Sequence, residues 1–306
     1  TQGVSSAASD VYKRQTFFNV SNEFCSIRNI VMYGPSEGHQ PVSENVYAVD
    51  TTSLSKRLYM ENVYIRFVGS GVAIRGIYFN LNSVFVEDYK QSLGVAFLID
   101  HVGALDPTGF FNTCESDNDY RYPALAGIRV KGGNTFQVNN CEFQHNAAAL
   151  WFDPASGVSN VNSCLFSNTF FDSNTYAGVH FAYNGSTINY NQMEFSNCWM
   201  CSNAEAGGTP TGVIIDAGVN INEFAFSNCL MSGNVTGFYI GNNVSGADKV
   251  RSLILSSCSF EGNTQADISI GTNNNNFIIN ACQGENSPNG FYINPGCCLL
   301  YTSDAA

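Results

Sequence analysis

Short apolar segments with polar residues between them recur about ten times along the chain. FQVNNCEF (136–143), MEFSNCWM (193–200), FAFSNCLM (224–231) and LILSSCSF (253–260) share one pattern: apolar, any, apolar, any, Asn or Ser, Cys, any, apolar. Looser copies are CSIRNIVM (25–32), LYMENVYI (58–65), FNLNSVFV (79–86), GFFNTCES (109–116), SNVNSCLF (159–166) and FIINACQG (277–284). The anchor after the small polar residue falls at Ile30, Val63, Val84, Cys114, Cys141, Cys164, Cys198, Cys229, Cys258 and Cys282, at intervals of 21 to 34 residues with a mean of 28. A second segment follows every anchor: NVYAV (45–49), GVAI (71–74), GVAF (94–97), GIRV (127–130), ALWF (149–152), GVHF (178–181), GVII (212–215), GFYI (237–240), DISI (267–270) and GFYI (290–293).

Both segments alternate with period 2, so both are strands. A strand of four or five residues cannot bury its apolar side alone, but stacked copies can. No segment sustains a 3.6-residue period, and Asn, Gly and β-branched residues disfavour helix. The uneven spacing excludes leucine-rich and propeller repeats, whose periods are tighter. The pattern predicts an all-β solenoid, a parallel β-helix of about ten coils over residues 16–296, with strands stacked at roughly 4.8 Å and loops of any length leaving between them.

The residue before the anchor is Asn29, Asn62, Ser83, Thr113, Asn140, Ser163, Asn197, Asn228 or Ser257 in nine of the copies. It marks a sharp bend, because Asn tolerates a left-handed backbone and its amide can bond the coil above. The seven consecutive Cys anchors form one interior column of small apolar plugs. The CxxC at Cys198–Cys201 is absorbed by that column, and His39, His101, His145 and His180 do not supply a zinc ligand set. Buried reduced thiols suit folding in a reducing cytoplasm.

Composition adds an acidic surface. The 13 Lys+Arg against 25 Asp+Glu leave a formal charge of −12, which repels nucleic acid and anionic membranes. No apolar run reaches transmembrane length. With only 12% charged residues, 37 Asn and 28 Gly, the surface is covered by uncharged polar groups. Residues 1–15 and 297–306 share no pattern with the rest; VSSAASDVYKRQ (4–15) and CLLYTSDAA (298–306) resemble translated sequencing adapters. They are expected to be a non-native leader and tail flanking a fragment whose true N-terminus is missing.

Alternation also assigns the outer face. In the second segments the outward row is Tyr47, Ala73, Ala96, Arg129, Trp151, His180, Ile214, Tyr239, Ser269 and Tyr292. Sugar rings stack their apolar faces on aromatic planes, and Asn, Asp, Glu and Arg bond hydroxyls. Arg129, Trp151 and His180 on three successive coils, with Asp153 and Asp216 beside them, therefore form the candidate glycan groove; a covering loop or subunit is the competing reading. Asp153 and Asp216 are placed three coils apart. Beyond the anchors, Glu115 and Glu142 occupy equivalent outward positions on adjacent coils, where repulsion would raise one pKa and give an acid/base pair; they are the candidate catalytic residues.

The stacked segments resemble the right-handed parallel β-helix superfamily of pectate lyases and phage tailspikes over nearly all of residues 16–296. The polygalacturonase motifs of that superfamily are absent, and IRVK (128–131) is only a distant echo of one. Pectate lyases use an acidic Ca²⁺ cluster and an Arg; the run at Asp117, Asn118 and Asp119 with Arg121 nearby is the one segment of that type, so no cofactor is expected beyond a weak case for Ca²⁺. Tailspikes share the architecture with almost no motif. The resemblance implies a polysaccharide-binding and polysaccharide-depolymerising rod that acts on a bacterial surface polysaccharide as a homotrimer, on a virion or extracellularly, with Ile214, Ile254 and Ile278 as exposed subunit contacts. The alternatives are a secreted monomeric polysaccharide lyase or hydrolase, and a non-catalytic adhesin or spacer.

Overall fold

A computed structural model describes residues 16–302, apart from 22, 35–45, 54, 91, 101–106, 120, 122, 184, 186–187, 202–209, 243–249 and 296, with side chains up to 297. The expectations for the leader and for His39 and His101 lie outside the described residues. The described chain is a right-handed parallel β-helix. The second segments stack in one 11-stranded sheet running from Phe18–Val20 to Asn289–Ile293, here the partner sheet. The anchor segments stack in a 14-stranded sheet running from Phe24–Tyr33 to Cys298–Thr302. Pairing is parallel in both. Residues 298–302, set aside in the sequence reading, run as a strand beside Asn275–Asn280.

The anchor sheet folds sharply at each bend residue. Asn29, Asn62, Ser83, Thr113, Asn140, Asn168, Asn197, Asn228, Ser257 and Ala281 all have φ between 49° and 53°. A left-handed residue costs about 1–2 kcal/mol unless it is Gly, and Asn reduces that cost with local hydrogen bonds. The amides of Asn62 and Asn197 bond Asn29 and Asn168 on the coil before, at 3.0 and 3.3 Å.

This row corrects the anchor column. Cys164 pairs with Met193, on the strand before the bend, while Thr169 follows the bend residue Asn168. The anchors are therefore Cys114, Cys141, Thr169, Cys198, Cys229, Cys258 and Cys282, and the outlying intervals of 23 and 34 become 28 and 29. Thr169 replaces Cys because it makes the same contact. Its hydroxyl donates to the Ser167 carbonyl at 2.9 Å, as the Cys141 and Cys198 thiols donate to Asn139 and Ser196 at 3.3 and 3.4 Å. The ten described cysteines are free. Cys201 is tied internally, its sulfur accepting from the Ser232 N–H at 3.2 Å.

The partner sheet corrects a second alignment. Val72 pairs with Phe97 and Val49 with Val72, so Ala48, Gly71 and Ala96 share a row. Gly127, Ala149, Gly178, Gly212 and Gly237 continue it. Small residues are required here because a Cβ on Gly212 would stand 2.4 Å from the Gly237 carbonyl oxygen. The outward row is accordingly Asp50, Ala73, Leu98, Arg129, Trp151, His180, Ile214, Tyr239, Ser269 and Tyr292, without Tyr47 and Ala96.

The interior is aromatic. Phe166, Phe195 and Phe226 stack in register with centroids 4.4 and 4.6 Å apart. Five residues after the anchor, a second asparagine column runs wholly inside at Asn146, Asn174, Asn234 and Asn263. The Asn174 and Asn263 side-chain oxygens accept from the backbone N–H groups of Asn146 and Asn234 on the preceding coil, at 3.0 and 3.1 Å, and the Asn146 oxygen accepts from the Tyr89 hydroxyl. Asn234, an Asn-x-Thr sequon, is thus a buried structural residue. No described helix is long and apolar enough to cross a membrane.

Candidate functional site

On the partner sheet, Arg129, Trp151 and His180 lie side by side on consecutive strands. The Arg129 guanidinium sits 4.9 Å from the Trp151 ring centroid and donates to Asp153 at 2.9 and 2.6 Å. On the other side, Trp151 stacks on His180 at 6.2 Å and 11°. His180 Nε2 lies 3.1 Å from Asp216 Oδ1, and the Tyr183 N–H donates to Asp216 at 3.0 Å. Burial works against the ionised form of Asp216, but the His180 hydrogen bond and that N–H outweigh it and hold the carboxyl below its ordinary range. Asp153 and Asp216 are two coils apart, with Ala182 between them, not three. That is roughly 9.6 Å by rung spacing.

Exposure redistributes the aromatic surface. His180 and Ile214 are buried, Trp151 is half-buried, and both faces of its ring are occupied. Ile214 packs with Ala148, Ala177 and Trp151, so it is not an exposed subunit contact. The open rings around this strut are Tyr176, Tyr183 and Tyr239, each 39–44% exposed. Tyr176 meets His180 edge-on at 5.3 Å, and burial together with the charge of Asp216 raises its pKa. Tyr183 lies over Gly218, where φ is 95° and a Cβ would touch the ring at 2.9 Å. Three half-exposed tyrosines thus cradle the His180–Asp216 pair. Tyr239 is legible in the sequence; Tyr176 and Tyr183 sit just outside the repeated segment, in YAGVHFAY (176–183), so a search for alternation alone passes over them.

On the anchor sheet, Glu142 pairs with Glu115 on one side and Phe170 on the other. Parallel neighbours stand roughly 4.8 Å apart, close to the separation retaining glycosidases use. Burial, then the Glu142 charge, raises the Glu115 pKa; burial, then Asp117 and Asp172, raises that of Glu142. A raised carboxyl opposes folding above its ordinary pKa, and that opposition fades as pH falls through the raised value. Glu115→Gln is therefore expected to stabilise the protein at neutral pH by roughly half a kcal/mol after solvent screening. The gain should vanish below about pH 4, where model glutamates are themselves protonated; thermal melts at pH 4 and 7 check the sign.

The structure does not bring the carboxylate pair and the Trp151 row into one site, since they stand on different sheets. The run at 117–119 also divides. Asp117 lies 2.7 Å from His145 Nδ1, Asn118 is buried, and Asp119 bonds Arg121, which lowers its pKa to about 2. Among the described residues no group of three or more His, Cys, Asp or Glu is arranged to hold a metal.

No family model matches the chain, and no curated protein does. Among solved structures, pectate lyase Pel9A superposes with a TM-score of 0.50 and 13% identity, over 91% of this chain and 70% of that one. The catalytic domain of GH87 alpha-1,3-glucanase in complex with nigerose gives 0.49 and 10%, over 94% of this chain and 56% of that one. PfbA, a surface adhesin of Streptococcus pneumoniae, gives 0.35 and 8%, over 98% and 88%. At such identities the likeness to Pel9A is one of fold: a pectate lyase-like parallel β-helix.

Proposed function

We propose that this chain is a polysaccharide-binding and polysaccharide-cleaving rod of the phage-tailspike kind, acting on a bacterial surface polysaccharide as a homotrimer on a virion or outside the cell. The observation that carries the binding is the cradle of Tyr176, Tyr183 and Tyr239 around His180 and Asp216. Exposed rings on a rigid sheet leave apolar area wet, and the faces of sugar rings cover it while hydroxyls meet the carboxylate. Arg129, Trp151 and Asp153 continue the row as a prebuilt strut, so little side-chain entropy is lost on binding.

For cleavage, Glu115 and Glu142 are the proposed acid/base pair. One, protonated, gives its proton to the leaving glycosidic oxygen as the bond to the anomeric carbon breaks. The other, ionised, attacks that carbon as nucleophile; the first, now a carboxylate, then takes a proton from the water that hydrolyses the glycosyl ester and frees the second. The fold of pectate lyase Pel9A favours a second reading, a secreted polysaccharide lyase active as a monomer; sedimentation separates monomer from trimer.

The test is retardation in gels containing bacterial capsular or O-antigen polysaccharides, with reducing-end release alongside. Tyr239→Ala and Asp216→Asn are each expected to weaken binding about tenfold, and Glu115→Gln and Glu142→Gln to abolish release without loss of binding. A folded rod that no polysaccharide retards would sink the proposal.

A further inference from the structure

The corrected anchor column places a feature on the outer surface that neither the cradle nor the carboxylate pair includes. Glu115, Glu142, Phe170, Trp199 and Leu230 form one continuous row along the rod, since Phe170 pairs with Trp199 and Trp199 with Leu230. Phe170 and Trp199 are 44% and 42% exposed, with ring centroids 5.6 Å apart and tilted by 31°. The row has a polar wall on each side. Toward the bend stand Asn168 and Asn197, linked at 3.3 Å, and Ser167, bonded to Asn139 at 2.9 Å. Two residues beyond Phe170 on the same strand stands Asp172, close enough to act on Glu142.

We infer that Phe170 and Trp199 are a second carbohydrate-contact surface, a two-ring platform on which a glycan lies along the rod axis and reaches Glu142. The inference rests on the polysaccharide reading above. A sugar is favoured over a second copy of the chain by charge. Glu142 and Asp172 border the rings, with Glu115 and Asp117 a rung further, and any contact with a second copy would have to cover these carboxylates with the surface of a chain whose net charge is −12. Hydroxyl groups instead donate to carboxylates and to side-chain amide oxygens, while ring C–H faces cover the aromatic planes. The platform starts one rung from Glu142, so a chain resting on both rings carries its next sugar units over the carboxylate pair.

The chain has two tryptophans, Trp151 and Trp199, which makes the site directly readable. Wild type, Trp199→Phe and the Phe170→Ala/Trp199→Ala double variant are compared with the same capsular and O-antigen polysaccharides, by gel retardation, by acrylamide quenching of tryptophan fluorescence and by sedimentation. Expected is that a polysaccharide retarded by wild type shields tryptophan from acrylamide, that Trp199→Phe removes the shielding, and that the double variant binds about fivefold more weakly with an unchanged melting temperature. Retardation with unchanged quenching and an unweakened double variant overturns the platform but leaves the cradle standing. A change of oligomeric state in the double variant overturns it in favour of a subunit contact. A wild-type rod retarded by none of the polysaccharides overturns both this inference and the reading it rests on.

Discussion

Phe195→Ala is expected to lose about 3–5 kcal/mol of stability, the range for removing a large buried ring. Phe195 is fully buried between Phe166 and Phe226, nearly parallel to both, with Phe171 and Phe181 at its edges. Neighbouring coils cannot close the gap, because their spacing is fixed by backbone hydrogen bonds on both sides. Most of the cavity therefore persists, and the cavity contribution adds in full to the lost transfer energy. Phe195→Leu should recover more than half of the loss. Phe170→Ala, 25 residues earlier and on the outer face, should change stability by less than about 1 kcal/mol. Denaturant midpoints of the three variants rank them; an equal effect at 170 and 195 would mean that the alternation has been read the wrong way round.

Asn234→Ala should cost about 2–4 kcal/mol by a different mechanism. The Asn234 amide donates to the buried carbonyl of Met200 at 2.9 Å and to that of half-buried Ser232 at 3.1 Å. Alanine leaves both without that donor, the Met200 carbonyl in the closed interior, and a buried unsatisfied group costs about 1–3 kcal/mol. Asn197→Ala, on the exposed bend row, is the control. Water replaces its amide, so only the left-handed backbone preference is lost, about 1 kcal/mol. Chemical unfolding of the pair distinguishes a buried polar column from a merely conformational one.

Much of the architecture was legible because an inward position must be apolar and a bend must tolerate positive φ, and both demands recur in every coil. The anchor column went astray at one coil because the search was for cysteine. Thr169 meets the real requirement, a small side chain with a donor for the carbonyl two residues back, and FSNTFF (166–171) matches FSNCWM (195–200) at every other constrained position. That slip hid Phe170. A similar one at GVAF (94–97) came from aligning glycines, when the constraint is smallness and Ala96 satisfies it. The interior asparagine column lay in plain view five residues after the anchors, but polarity there reads as a loop until its partners are known. Of the site, Glu115 beside Glu142 follows from the repeat alone. The ion pairs that hold Arg129 and His180 do not, since they depend on which rotamers meet across rungs.

Each coil also acts as a tooth on a rack. From Asn140 to the next bend at Asn168 the chain advances 28 residues and one tooth, and every outer row advances with it. The distance from Glu142 to any ring on either face can therefore change by a whole tooth, through gain or loss of a coil, but never by a fraction of one. A polymer whose own repeat is commensurate with that pitch meets equivalent positions at successive steps. One with another pitch drifts out of phase within a few units, so on the proposed polysaccharide reading the rack would discriminate between glycans by period as well as by chemistry.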